Sequence, residues 1–210
     1  VGDLFEYSKN QAPKHIVDQA NEHHMPVLNY LEELASHIKI EEQHVVVLDW
    51  LNGNRSILSN SHLTGSIFGL TLQTPYEMIH RAYIEATAFG TKLIMKQFED
   101  NHIPVHTVYA SGGIPQKSKL LVEIYANVLN KRVIVIDSSN ASALGAAMLG
   151  ANVGNAYNTL KEAALSMKQP IAYIQEPEIQ KVQAYKPLYH KYCELHDLLG
   201  RQYPELSYLI

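Results

Sequence analysis

Val105-His106-Thr107-Val108-Tyr109-Ala110-Ser111-Gly112-Gly113 is the stretch that decides the fold class. Val105 to Ala110 is rich in β-branched and aromatic residues and predicts a strand. Ser111-Gly112-Gly113 predicts a turn. Beyond it, Ser118 to Leu129 predicts a helix, with Leu120, Leu121, Ile124, Tyr125 and Val128 as its buried stripe. Val133-Ile134-Val135-Ile136 predicts a second strand, and Ala141 to Ala151 a helix of small residues. Strands that alternate with helices in this way are parallel and crossed over, which predicts an α/β fold.

Working back toward the N-terminus, Val45-Val46-Val47-Leu48 predicts a short buried strand. It empties into Asp49-Trp50-Leu51-Asn52-Gly53-Asn54-Arg55-Ser56, which is loop chemistry. Thr74-Pro75 predicts a helix start, with Thr74 as cap and Pro75 in the first helical position. Ile79, Ala82, Ala86, Phe89 and Leu93 mark one face of that helix. Gly90 costs about 1 kcal/mol against alanine there, so it predicts a close backbone approach. Residues 1–40 read as helical. Beyond about residue 155 the chain reads as helical again, broken by Pro170 and Pro177 and stopped by Gly200. The chain thus divides into a helical segment at 1–44, an α/β core at 45–155 and C-terminal helices at 156–210.

Composition narrows the function. The 210 residues are 46% hydrophobic and 18% charged, as in an ordinary globular chain. A net charge of −4 without a dense Lys/Arg run argues against nucleic acid. Cys193 is the sole cysteine, which excludes an intrachain disulfide framework and a cysteine-based zinc site. The eleven histidines read as scattered, and no metal site is expected from them. No apolar run approaches the roughly 18 residues of a membrane span. The N-terminus lacks the basic-then-apolar order of a signal peptide. A cytoplasmic chain is the simplest expectation.

Three features carry chemistry. Gly112-Gly113, between a strand and a helix, lets backbone N–H groups approach an anion or nucleotide closely; a plain tight connection is the alternative. Neither a Walker loop nor a dinucleotide fingerprint is present. Gly65-Ser66-Ile67-Phe68-Gly69-Leu70-Thr71 is either an ordinary turn or a loop that passes close to a phosphate. Ala143-Leu144-Gly145-Ala146-Ala147-Met148 predicts a helix lying tight against a neighbour. Asp49 ends a strand, a common place for acid–base carboxylates, but no partner acid is near it in sequence. Glu85 reads as an ion-pair or capping partner.

In chain order, Gly-Asn-Arg-Ser at 53–56, Gly-Leu-Thr-Leu at 69–72, Ile-Glu-Ala-Thr-Ala-Phe-Gly-Thr at 84–91, Ala-Ser-Gly-Gly at 110–113 and Ala-Leu-Gly-Ala-Ala at 143–147 resemble the FGGY carbohydrate kinases. Asp49 to Ser56 resembles most the branch that phosphorylates L-ribulose. The resemblance runs from Val1 to about Gly200. It implies a partial actin-like, ribonuclease H-like domain, the C-terminal domain of a sugar kinase, with additional helices at both ends. It implies ATP and Mg²⁺ as cofactors, and L-ribulose as a substrate held mostly elsewhere in the enzyme. Xylulose, glycerol or another polyol is the alternative substrate, and a non-catalytic actin-like nucleotide-binding module the alternative role. By resemblance Gly112 and Gly113 lie against the nucleotide, Lys117 and Ser118 come at the next contacts, and Gly69 and Thr71 approach the phosphates. Ser118 stands where asparagine is common, and Met78 where an acid or amide is usual. The family's catalytic aspartate has no match here, so this chain is expected to be inactive alone. Missing strands leave a sheet edge open, and with it a homodimer.

Overall fold

The structure is a computed structural model that describes residues 1–138 and 140–208. Helices α1 (Gly2–Asn10), α2 (Lys14–Glu22) and α3 (Val27–Ser36) lead into strand β1 (Val46–Leu48). Next come β2 (Ser66–Phe68), α4 (Tyr76–Asp100), β3 (Thr107–Ala110), α5 (Gly113–Lys117), α6 (Lys119–Leu129) and β4 (Arg132–Ile136). The chain ends in α7 (Ala141–Val153), α8 (Leu160–Met167), β5 (Ile171–Gln175) and α9 (Ile179–Asp197).

Two small sheets result. β1 pairs with β2 antiparallel, Val47 opposite Ile67. In the other, β3 and β4 are parallel, Val108 opposite Val133, and α6 makes the crossover that a parallel pair requires. α4 packs on α6, α3 and β1, and α9 packs on α6 and β1. The core between them holds Val45 to Leu48, Trp50, Ile84, Phe89, Ile124, Tyr185 and Tyr192, all nearly or fully excluded from solvent.

Several expectations need correction. β5 lies where the chain was expected to be helical. It pairs antiparallel with β4, Ile174 opposite Ile134, and the Tyr173 hydroxyl donates to the Pro115 carbonyl at 2.9 Å. Proline on either side isolates a segment too short for a helix, and an available edge takes it up. β2 forms within the expected turn around Gly69. Thr74 does not cap α4: the residue before the helix is Pro75, and Thr74 Oγ1 accepts instead from Thr71 N–H at 2.8 Å. No residue of α7 is buried, and its main neighbour is α8, so its small residues face open space rather than a packed wall. At the far end, α9 stops at Asp197, and Gly200 falls within a π-helical turn under Leu58 and Trp50.

Two polar knots tie the helices. Glu85, 1% exposed, accepts from Arg81 Nε at 2.8 Å, Gln43 Nε2 at 3.1 Å and the Tyr185 hydroxyl at 3.2 Å. Arg81 also donates to Ala35 O at 2.9 Å and to the Tyr185 hydroxyl at 2.8 Å. Glu85 is therefore an ion-pair partner, as its sequence context indicated. The second knot holds α1 on α4. His80 is fully buried, its Nδ1 lies 2.8 Å from Ser8 Oγ, and Nε2 has no hydrogen-bond partner.

Burial lowers the His80 imidazole from 6.5 to about 4, so it stays neutral in the fold. Between those values the unfolded chain binds the proton and the folded chain does not. Stability is therefore present above pH 6.5 and lost as pH falls toward 4, by at most about 3 kcal/mol. Denaturant titrations of the wild type and His80→Phe at pH 7 and pH 4.5 check this. The wild type is expected to lose more on acidification; equal losses would contradict it.

Candidate functional site

β3 delivers the chain to Ser111 and then to Gly112, whose φ of +99° and ψ of 178° belong to a region open only to glycine. Gly112 N–H donates to Ser138 O at 2.9 Å, which anchors the turn beside the end of β4. A Cβ built on Gly112 or Gly113 would meet nothing within 4 Å. The open space is a cavity of about 450 Å³ whose walls include Val108, Tyr109, Ile114, Val122 and Tyr125. The glycine backbone thus lines one side and apolar side chains the other.

The remaining expected site residues fall elsewhere. Lys117, at the end of α5, is exposed and lines neither of the two larger cavities. Ser118 is 2% exposed, and its hydroxyl accepts from Leu121 N–H at 3.1 Å as the N-cap of α6. Gly69 has φ +88°, and a Cβ there would collide with the His44 carbonyl, so the β1–β2 hairpin itself demands glycine. Thr71 sits in the turn beyond it, where its hydroxyl accepts from Gln73 N–H at 3.2 Å. Gly112 and Gly113 share a cavity; Gly69 and Thr71 do not join them there.

A second cavity of about 700 Å³ opens between α1, α4 and the loop after β1, and shares Val1 and Tyr125 with the first. Tyr125 read as a core residue, yet it is the wall common to both. Asp49 lies here at the end of β1. Burial pushes its carboxyl up, opposed by its own backbone amide. Burial likewise raises Tyr125, while the nearby Thr87 and Thr91 hydroxyls oppose it. A Cβ on Gly90 would lie 3.5 Å from the Tyr192 hydroxyl, an ordinary contact, so this glycine widens the cavity rather than avoiding a clash.

His102 and His106 stand four apart, a ligand spacing on a helix that the reading of the histidines as scattered does not single out. They lie in the turn before β3, with His102 at φ +63°, beside a hollow where Lys131 pairs with Glu99 at 3.0 Å. Among the described residues no group of three or more His, Cys, Asp or Glu could hold a metal ion. No described helix is long and apolar enough to cross a membrane.

A strand-turn-helix unit with an open glycine wall, on a partial α/β domain, defines a class that comparison identifies. Residues 1–153 match the FGGY family of carbohydrate kinases, C-terminal domain, and the chain belongs to this family. Within it, the chain is 99% identical over 210 residues to Ribulokinase of Staphylococcus epidermidis, covering 100% of this chain and 39% of that protein. It is 69% identical over 209 residues to Ribulokinase 1 of Staphylococcus saprophyticus subsp. saprophyticus, with coverage of 100% and 39%. The fold is similar to that of xylulose kinase from Lactobacillus acidophilus, with a TM-score of 0.79 at 19% identity over 98% of this chain and 39% of that one. The expected fold, a partial C-terminal domain of a sugar kinase, is therefore the observed one. The chain spans 39% of the length of the curated relatives named here.

Proposed function

We propose that this chain supplies the nucleotide-binding half of a cytoplasmic, ATP-dependent kinase that converts L-ribulose to L-ribulose 5-phosphate. The single observation that carries the reading is the cavity over Gly112 and Gly113, where a Cβ would meet nothing within 4 Å. Two relatives at 99% and 69% identity that bear the name Ribulokinase support the choice of sugar. A nucleotide fits such a site: glycine backbone admits close approach, while Val108, Ile114 and Tyr125 offer an apolar wall to a base. ATP would supply the phosphoryl group. Within the stretch 45–155, Gly112 and Gly113 hold the nucleotide; Lys117, a further contact by family resemblance, lies exposed at the end of α5, outside both cavities. Ser118 fixes the start of α6, while Gly69 and Thr71, which the family resemblance puts near the phosphates, line neither cavity. Mg²⁺ would come with the nucleotide, since no group of three or more His, Cys, Asp or Glu among the described residues could hold it. L-Ribulose would be bound mostly by the rest of the enzyme, and a second copy could pair along the open edge of β3.

The test uses the full-length Staphylococcus epidermidis relative, numbered as here. Gly112→Val fills the cavity and strains a backbone closed to side chains, so the KM for ATP is expected to rise about tenfold or more. The KM for L-ribulose should stay within about twofold, because the sugar lies elsewhere. An unchanged KM for ATP would remove the cavity from the nucleotide site. A higher kcat/KM for D-xylulose or glycerol than for L-ribulose would overturn the choice of sugar.

A further inference from the structure

The loop that leaves β1 is held more firmly than a surface connection requires. Asn54 N–H donates to Asn60 O at 2.9 Å and Asn60 N–H donates to Asn54 O at 2.8 Å, closing the loop on itself. With the Asn54 amide in the orientation that satisfies both of its ends, its oxygen accepts from Trp50 Nε1 at 2.9 Å, which roots the loop in the core. Leu58 packs over Gly200. Gly53, Ile57 and Ser59 have φ of +73°, +77° and +50°. For the β-branched Ile57 this conformation is strongly disfavoured, and it persists because the surrounding bonds impose it.

What the closed loop presents to the larger cavity is Arg55. The other three arginines are ion-paired: Arg81 with Glu85, Arg132 with Glu176 and Arg201 with Asp197. Arg55 is exposed and makes no ion pair among the described residues, although Asp3 and Asp49 line the same cavity. A guanidinium is planar, stays charged and fits a phosphate with two parallel hydrogen bonds. Its cavity adjoins the glycine-walled one at Tyr125. A nucleotide whose base lies against Gly112 and Gly113 can thus extend its phosphates into the chamber that holds an unpaired cation.

We propose that Arg55 binds the terminal phosphate of the bound nucleotide, and that the closed loop exists to hold it in that chamber. This rests on the reading of the glycine-walled cavity as the nucleotide site. The experiment is calorimetry on the full-length Staphylococcus epidermidis relative with ATP and AMP, for the wild type, Arg55→Lys and Arg55→Ala. Arg55→Ala is expected to weaken ATP by about tenfold or more, the loss of a charge-assisted pair. AMP should change by less than about twofold, because it lacks the phosphate concerned. Arg55→Lys should fall between, since it keeps the charge without the fork. Equal weakening of ATP and AMP would make the role structural and overturn the proposal. So would an unchanged ATP affinity, the behaviour of a solvated surface arginine. Failure of AMP to bind the wild type, or normal AMP binding by Gly112→Val, would instead sink the nucleotide reading. Melting temperature separates misfolding from both, and Arg55→Lys keeps the test open if Arg55→Ala is unstable.

Discussion

The purified 210-residue chain is expected to form no ADP when L-ribulose and MgATP are supplied together. Full-length sugar kinases of this mechanism turn over on the order of 1–100 times per second. Phosphoryl transfer is mainly positioning and charge stabilisation between two walls, and this chain offers one wall. The glycine-lined cavity is open, and Tyr109 beside it is 68% exposed. β3 is paired on one side only among the described strands. Two carboxylates reach the larger cavity, Asp3 in the first turn of α1 and Asp49 at the end of β1. Among the described residues neither has a side-chain partner that would orient it as a base toward a sugar hydroxyl. The assay is coupled ADP detection across a range of protein concentrations, because an open strand edge invites pairing with a second copy. Ribulose-dependent turnover above about one-thousandth of the full-length rate would overturn the expectation, since that far exceeds what an incomplete constellation retains.

Local pattern made part of the fold legible in the sequence. β4 is uniformly apolar from Val133 to Ile136, and a buried parallel strand has no other way to read. α6 was expected from Ser118 to Leu129 and runs from Lys119, because Ser118 is its cap. The glycine turn was legible because few residues other than glycine tolerate the backbone conformation just beyond β3. β2 and β5 were not, because each is short and its pairing is supplied from a distance. Ser66 pairs with Leu48 across a long loop, and Ile171 pairs with Ile136 across the whole α7–α8 hairpin. Tyr125 was assigned to the core because it lies on the stripe of α6; that it also walls two cavities depends on what does not cover it. Arg55 read as loop and as part of the Gly-Asn-Arg-Ser motif, with no role of its own. Its setting comes from the left-handed Ile57 and from bonds between Asn54 and Asn60, none of which leaves a periodic trace.

Replacing Glu85 by alanine is expected to cost about 3–5 kcal/mol, enough to remove much of the stability of an ordinary domain. The effect rests on what remains rather than on what is lost. Arg81 would stay buried, 5% exposed, with its charge facing a void in place of a carboxylate. Gln43 and Tyr185 would each lose an acceptor at the same time. Because Arg81 also reaches Ala35 at the end of α3 and Tyr185 on α9, the defect spreads from α4 to the two helices that meet it there. An internal control is available on the same helix. Lys96 and Asp100 have the same spacing of four and a contact of 2.8 Å, but both are exposed. Lys96→Ala is therefore expected to change stability by less than about 1 kcal/mol. Substituting Arg81 and Glu85 together by Met and Leu should recover much of the Glu85→Ala loss, because no charge is then left buried without a partner. Urea denaturation of these variants and the wild type measures all of this. A cost for Glu85→Ala no larger than that for Lys96→Ala would mean that water reaches Arg81, and the buried knot would not be what holds α3 and α9 to α4.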